Sequence, residues 1–143
     1  MEEKIDGTEK FAFVLGTRPE IIKLSSMIKN CQKRNIPFFI IHTGQHYSPN
    51  MDAYFFDGLD LPQPKYNLNI KCASAKHQGE HVGKMLTDIE KVFLDEKPSV
   101  VFVQGDTNTV LAGALAASKL HIPLAHVEAG LRTYDRQYPF PEE

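Results

Sequence analysis

The sequence predicts an α/β fold in which a parallel sheet is covered by helices on both faces, and three observations lead to this prediction. Short apolar runs alternate along the chain with stretches in which apolar residues recur at helical spacing. The runs are apolar at successive positions, as in strands buried on both faces. Polar segments that contain glycine follow the runs where strands would join helices. Together these features favour an open α/β sheet of parallel strands.

The chain opens with a strand, a helix and a second strand. The apolar run Phe11–Leu15 predicts the first strand, and Phe38–Ile41 predicts the second. Between them, apolar residues recur at helical spacing and end at Cys31. Parallel strands joined by a helix form a crossover unit, which is expected to be right-handed.

Three residues mark the start of this first helix. Thr17 and Glu20 have the spacing of a capping box, in which each side chain accepts a backbone N–H of the other residue. Pro19 falls in the first turn, where the missing N–H has no helical partner to lose. The sequence therefore predicts a helix that begins directly after Thr17.

The remaining elements continue the alternation of strand and helix. We predict a short helix around Met51–Phe56, a helix over His77–Glu96, a strand at Val100–Val103, an Ala-rich, closely packed helix over Thr107–Lys119 and a strand at Pro123–Val127. The segment Pro49–Lys65, which contains the short helix, is rich in Pro, Asp and aromatic residues, and after that helix it predicts a loop.

Size and composition exclude several classes of protein. A length of 143 residues suits one globular domain with its own core. Sixteen basic and eighteen acidic side chains give a net charge of −2, so no general positive field would attract nucleic acid. No signal peptide or long apolar run is recognisable, which argues against a membrane protein. Cys31 and Cys72 form no CxxC pair, which favours the reducing cytoplasm.

Polar segments follow the four predicted strands at their carboxyl ends. In an open parallel sheet these ends share one edge, where helix amino termini present N–H groups to anions. The segments are Gly16–Glu20, Thr43–His46, Gly105–Thr109 and Glu128–Arg132. The sequence therefore predicts a ligand site at this edge, independently of any family.

Each polar residue at this edge also has a purely structural explanation. Thr17 and Glu20 could serve only as a helix cap, and Arg18 could be a solvated charge. Asp106 and Thr107 could likewise cap the helix that follows them. Isolated residues of these types therefore do not establish a function.

Glu128 is the most informative carboxylate at this edge. Because it directly follows a strand predicted to be buried, its charge is expected to lose hydration unless the protein uses it. Gln45 and His46 could be ordinary loop residues. Glu142 and Glu143 would be an acidic tail on composition alone.

A zinc site is a competing interpretation of one segment. His77–His81 matches H-x-x-E-H, an inverted zinc-protease pattern with two imidazoles one turn apart. The pattern needs a third protein ligand, and Gly79 weakens the helix that would carry it. Surface histidines at the start of a helix are the alternative, and we predict no metal.

Five motifs, in order along the chain, resemble the non-hydrolysing UDP-N-acetylglucosamine 2-epimerases. They are GTRPEIIK at Gly16–Lys23, TGQH at Thr43–His46, QGDTNTVLAGALAA at Gln104–Ala117, HVEAGLRT at His126–Thr133 and PFPEE at Pro139–Glu143. The resemblance implies a GT-B-like enzyme of two Rossmann-like domains with the substrate between them. Residues 1–143 would form the amino-terminal catalytic domain, and the second, UDP-binding domain would be absent from this chain.

The resemblance also implies a reaction and a set of acid and base groups. UDP-N-acetylglucosamine (UDP-GlcNAc) and UDP-N-acetylmannosamine (UDP-ManNAc) would interconvert by elimination of UDP to a 2-acetamidoglucal and re-addition, without a metal or nicotinamide cofactor. Asp106, Glu128 and Glu142 correspond to the family's catalytic carboxylates. Carboxylates suit the task because C2 loses a proton on one face and gains one on the other. Which carboxylate serves which face stays open.

The substrate-binding residues follow from the same resemblance. Arg18 and Lys23 correspond to contacts with the diphosphate, whose departure requires nearby positive charge. Gln45 and His46 correspond to substrate or effector contacts. Many bacterial members have QHxxM, which is tied to allosteric activation, whereas here Met51 lies farther from His46. The sequence therefore does not predict activation by substrate.

The resemblance further implies a cytoplasmic homodimer that functions in cell-surface polysaccharide biosynthesis, with no nucleic-acid or membrane partner. We expect this chain to be inactive without its second domain. Two alternatives stay open: a non-catalytic module that binds a sugar nucleotide or depends on a partner, and a hydrolysing epimerase that releases ManNAc and UDP.

Overall fold

A computed structural model describes residues 9–44, 49–70, 77–135 and 137. Strands and helices alternate, as the sequence predicts. In chain order they are β1 (Phe11–Leu15), α1 (Arg18–Lys33), β2 (Phe38–His42), α2 (Pro49–Gly58), β3 (Tyr66–Asn67), α3 (Gln78–Glu96), β4 (Val100–Gln104), α4 (Asn108–Lys119) and β5 (Leu124–Val127). Within the described residues, no helix combines the length and apolar character needed to cross a membrane.

The five strands form one parallel sheet in the order β3-β2-β1-β4-β5. The chain winds outward from β1 to β3, then returns to the other side of β1 for β4 and β5. Such a reversal opens a crevice beyond the carboxyl ends of the two strands that flank it. In this sheet the crevice lies between β1 and β4.

Each face of the sheet carries its own apolar core, because successive strand residues point to opposite faces. Ala12 and Val14 of β1 face α3 and α4, whereas Phe13 and Leu15 face α1 and α2. Helices therefore cover both faces, which confirms the predicted Rossmann-like fold class. α4 packs closely, as its small residues predict: a Cβ added to Gly113 would lie 3.2 Å from Val14 and Val103 side-chain carbons.

Two features of the sheet differ from the prediction. β3 was not predicted: it begins directly after the predicted loop, and with only two residues it is too short to show an alternating pattern. The last strand was predicted to be buried, but β5 is one of the two edge strands of the described sheet, and Leu124 is 41% exposed. Its apolar sequence predicted the strand correctly but not its exposure.

Near the other edge strand, β3, one carboxylate connects three elements. Glu96, at the end of α3, accepts hydrogen bonds from Lys10 Nζ at 2.5 Å, Lys65 Nζ and Tyr66 Oη. Its side chain is only 7% exposed. These contacts, the one with Lys10 first, lower the pKa of Glu96 from 4.5 to about 2. Glu96 thereby joins α3 to β3 and to the residue before β1, far along the strands from the crevice.

Candidate active site

A cleft of about 840 Å³ opens at the carboxyl edge of the sheet, where the strand order reverses. Its walls come from three segments that are distant in sequence. They are the start of α1, the turn between β4 and α4, and the residues after β5. The lining includes Lys23, Gln104, Asp106, His126, Glu128 and Arg132. Together with Glu20, which also lines the cleft, three acidic and two basic side chains thus meet in one concave site.

Gly16 allows the turn after β1 to approach its neighbours. A Cβ at this position would lie 2.1 Å from Thr43 Oγ1 and 2.6 Å from Thr109 Oγ1. The two hydroxyl oxygens are themselves 2.8 Å apart and buried. Only glycine can occupy this position without displacing that pair, so the residue sets the spacing between β2, α4 and the start of α1.

Glu20 has the deepest carboxylate in the cleft wall, with 1% exposure. Its Oε2 accepts the backbone N–H groups of Gly16 at 2.7 Å and Thr17 at 2.8 Å. The predicted capping box of Thr17 and Glu20 is therefore confirmed. Its Oε1 accepts the hydroxyl of Thr107 at 2.5 Å, which joins the first turn to the turn after β4. Burial raises the pKa of Glu20, and these hydrogen bonds oppose the rise.

The turn between β4 and α4 presents Asp106 to solvent at the cleft. Gly105 has a φ of +84°, a conformation that favours glycine, and it reverses the chain directly after the strand. Thr107 caps α4, because its Oγ1 accepts the N–H of Val110 at 3.4 Å. Asp106 stands between these two residues, and its exposed carboxylate is available to a ligand.

Glu128 also lines the cleft, directly after β5. Its Oε2 accepts hydrogen bonds from Lys23 Nζ at 2.7 Å and from the amide of Gln104. Among the described residues no hydrogen bond reaches its Oε1, so one carboxylate oxygen is uncommitted. A φ of +63° turns the backbone at Glu128 away from the strand direction. These features orient the carboxylate in the cleft.

Glu128 lines the cleft as predicted, but the predicted burial of its carboxylate is wrong. Its side chain is 30% exposed, because β5 is an edge strand and does not enclose the residue that follows it. The carboxylate therefore keeps part of its hydration. What distinguishes it is its contact with Lys23, a cation from another element.

The structure separates the two cations predicted to contact a diphosphate. Lys23 lines the cleft, whereas the guanidinium of Arg18 lies 5.1 Å from the centre of the Phe55 ring and is not part of the lining. The two residues are five positions apart on α1, which turns them about 140° from one another at 100° per residue. The helix therefore directs their side chains to different sides.

Three predicted site residues lie outside the described part of the chain. They are Gln45, His46 and Glu142. Of Met51 the structure describes the backbone, within α2, but not the side chain. The roles of Gln45, His46 and Glu142 therefore stay predictions.

Sequence reasoning missed two polar residues of the site. Gln104 was noted only within a motif, yet its 3% exposed side chain contacts Glu128. Glu20 was interpreted only as a cap, whereas its second oxygen reaches Thr107. A polar residue that ends a continuous apolar strand was the available signal for Gln104. No local signal predicts the contact of Glu20 with a residue 87 positions away.

The H-x-x-E-H segment lies at the start of α3. His77 Nδ1 is 3.3 Å from Glu80 Oε2, and the other oxygen of Glu80 accepts Lys84 Nζ at 2.6 Å. These side chains are exposed, and the ion pair with Lys84 gives Glu80 a structural role that needs no metal ion. In residues 9–44, 49–70, 77–135 and 137, no three His, Cys, Asp or Glu side chains are grouped to hold a metal ion.

Comparisons with known proteins agree with this geometry. A family profile described as UDP-N-acetylglucosamine 2-epimerase matches residues 29–143. The UDP-N-acetylglucosamine 2-epimerase of Methanocaldococcus jannaschii is 66% identical over 130 residues, which are 91% of this chain and 35% of that protein. A Pseudomonas aeruginosa relative, UDP-2,3-diacetamido-2,3-dideoxy-D-glucuronate 2-epimerase, is 47% identical over 131 residues, 91% of this chain and 36% of that protein.

A solved structure extends the comparison to three dimensions. The crystal structure of the M. jannaschii UDP-GlcNAc 2-epimerase in complex with UDP-GlcNAc and UDP superimposes with a TM-score of 0.82 at 65% identity. The superimposed region covers 90% of this chain and 34% of the M. jannaschii chain. This chain thus spans about a third of the length of the relatives it matches.

Proposed function

Because this chain belongs to the UDP-N-acetylglucosamine 2-epimerase family, we propose that it forms the amino-terminal domain of an enzyme that interconverts UDP-GlcNAc and UDP-ManNAc. One observation carries the proposal: Asp106, Glu128 and Lys23, which come from three distant segments, line a single cleft. A relative with 66% identity to this chain bears the same enzyme name.

The proposed reaction proceeds by elimination and re-addition. A carboxylate accepts the proton from C2 of the hexose, and the electrons of the C2–H bond form the C1=C2 double bond. The C1–O bond breaks, and UDP leaves with its electron pair. UDP then adds back to C1 of the 2-acetamidoglucal while C2 receives a proton on the opposite face. Proton transfer on both faces requires an acid and a base on opposite sides of the sugar.

The geometry supports Asp106 and Glu128 as two of these groups. Asp106 belongs to the turn after β4, and Glu128 directly follows β5, so they line the cleft from different segments. Glu128 also has an oxygen without a hydrogen-bond partner in the described part of the chain. Glu142 is the third carboxylate of the proposal by family resemblance.

Lys23 supplies the positive charge for the departing UDP. Its ammonium lies in the cleft and pairs with the exposed carboxylate of Glu128. A diphosphate carries more negative charge than one carboxylate, so it competes effectively for the same cation. Lys23 would then contact the leaving group where charge develops.

We expect catalysis to need a second domain. General acid–base catalysis contributes about 10²- to 10⁴-fold, whereas enzymes commonly accelerate reactions by 10⁶-fold or more. Positioning and charge stabilisation provide the rest, and both require that the UDP moiety be held. This chain spans about a third of its relatives, so we propose that the 143 residues alone do not turn over substrate. A cytoplasmic homodimer remains part of the proposal by family resemblance.

A chimera tests the proposed function directly. This chain would replace the matching segment of the M. jannaschii enzyme, to which it is 66% identical. We expect the chimera to convert UDP-GlcNAc to UDP-ManNAc and the isolated chain to show no turnover. Asp106→Asn should abolish conversion, whereas Asp88→Asn, an exposed aspartate on α3, should leave it unchanged.

Product analysis separates the proposal from its alternatives. Free ManNAc and UDP would identify a hydrolysing enzyme. Activity only with UDP-2,3-diacetamido-2,3-dideoxyglucuronate would indicate the substrate named for the P. aeruginosa relative. A folded chimera without activity on either substrate would favour a non-catalytic module. Turnover by the isolated chain, lost in Asp106→Asn, would overturn the expected dependence on a second domain.

A further inference from the structure

The carboxylate of Glu20 is more deeply buried than a helix cap requires. Capping residues ordinarily lie at the surface, yet this side chain is 1% exposed and forms part of the cleft wall. Burial raises its pKa, which means that keeping the charge there opposes folding. A group retained at such a position is expected to have a role beyond stability.

Glu20 fills the anion position at the start of α1. The N–H groups of Gly16 and Thr17 point at its Oε2 from 2.7 and 2.8 Å. In related sheets such groups are available to a phosphate, but here an internal carboxylate already accepts them. These two N–H groups are therefore not available to a ligand, which leaves side chains of the cleft such as Lys23 to contact an anion.

The second oxygen of Glu20 reaches the turn that carries Asp106. Thr107 donates its hydroxyl to Oε1 at 2.5 Å and also caps α4, so its position fixes the start of that helix. Asp106 directly precedes Thr107. One buried carboxylate thus joins the segment that bears Lys23 to the segment that bears Asp106.

We propose that Glu20 is a positioning residue, which fixes the Asp106 turn relative to α1 through the hydroxyl of Thr107. The inference rests on the proposed function for its catalytic consequence and on the geometry alone for the bridge itself. The two parts are therefore tested separately, the bridge in the 143-residue chain and its effect on turnover in the chimera.

The bridge is tested by amide NMR of the isolated chain. Glu20→Ala should shift the signals of the Asp106 turn, and Thr107→Val should shift those of Gly16 and Thr17. Glu20→Gln should shift the Asp106 turn less, because its amide can accept the two N–H groups and donate to Thr107. Thr87→Val, which removes an exposed hydroxyl bonded to Gly83, is the matched control. Shifts confined to the mutated turn would overturn the bridge.

The effect on turnover is tested in the chimera. Glu20→Ala should lower kcat about 100-fold, the order expected for a small displacement of a catalytic group, with KM within about threefold. Glu20→Gln should restore most of kcat. Thr107→Val should lower kcat similarly, and the double variant Glu20→Ala with Thr107→Val should be no worse than either single variant.

Several outcomes would contradict the proposal. Unchanged kcat in folded Glu20→Ala, a change in KM alone, or additive losses in the double variant would each remove the positioning role. A loss of activity that only tracks unfolding, measured by circular dichroism, would show a purely structural role. An inactive unmutated chimera would reject the proposed function and with it the catalytic consequence, while the NMR result would still decide the bridge.

Discussion

The ammonium group of Lys23 lies 2.7 Å from the carboxylate of Glu128, although 105 residues separate them in the chain. Both side chains are partly exposed, at 45% and 30%. Ion pairs of this kind contribute only about 0–1 kcal/mol to stability, because water and salt screen them. The pair is therefore expected to add little to the stability of the fold, and we propose that its role lies in the site.

Lys23→Met separates these two effects. We expect it to change the free energy of unfolding by no more than about 1 kcal/mol. In the chimera it should weaken UDP-GlcNAc binding roughly 10- to 100-fold, since a charge-assisted hydrogen bond is lost. Denaturant unfolding and steady-state kinetics measure the two quantities. Lys29→Met, on an exposed part of α1, is the control, and equal effects of both variants would contradict the assignment.

Gln104 should matter for turnover because its amide orients Glu128. Gln104→Leu preserves the size of this buried side chain but removes the donor, and we expect kcat to fall roughly 10-fold or more. Gln104→Glu would place a second carboxylate beside the first, and like charges should lower activity further. Gln63→Leu, an exposed glutamine bonded to Asp57, is the control. Wild-type kcat in a folded Gln104→Leu chimera would exclude an orienting role.

Gly16→Ala should destabilise the chain. The new methyl group would lie 2.1 Å from Thr43 Oγ1 and 2.6 Å from Thr109 Oγ1, so the turn or the threonine pair must move. Overpacking of this type costs about 1–3 kcal/mol. Gly83→Ala, in a helix with open space around it, should instead leave stability unchanged or increase it by up to about 1 kcal/mol. Thermal unfolding of both variants measures the difference in stability, and similar melting temperatures would contradict the packing argument.

Acid should weaken the fold through Glu96. Its pKa falls from 4.5 to about 2 in the folded chain, so its stabilisation is complete above pH 4.5 and is lost as the pH falls towards 2. Glu96→Gln should lower stability at neutral pH and flatten the decline between these pH values. Glu90→Gln, elsewhere on α3, should preserve the decline. Urea unfolding at a series of pH values from about 2 to 6 measures this fall in stability. A Glu96→Gln chain with the wild-type pH dependence would contradict this assignment.

The sequence predicts most of the fold because its signals are local. The capping box of Thr17 and Glu20 marks the start of α1, and continuous apolar runs mark the four longer strands. β3 escapes prediction because two residues carry no period. The exposure of β5 depends on its position at an edge of the sheet, and a local sequence pattern does not predict the order of the strands.

The site is only partly predictable for the same reason. The carboxyl ends of parallel strands share an edge, so the meeting of Asp106, Glu128 and Lys23 at one cleft follows from the fold. The direction of Arg18 towards Phe55 depends on helix phase. The bridge from Glu20 to Thr107 depends on side-chain packing across 87 residues. The sequence therefore predicts which segments meet at a site more readily than which side chains contact one another there.

Solvent exchange at C2 tests the central claim most directly. The chimera would be incubated with UDP-GlcNAc in D₂O, and proton NMR would follow the C2 position. If carboxylates of this cleft exchange the C2 proton, deuterium should enter the wild-type product, and Asp106→Asn and Glu128→Gln should each abolish or strongly slow its entry. Epimerised product that retains its C2 proton, or wild-type exchange in both variants, would contradict the account.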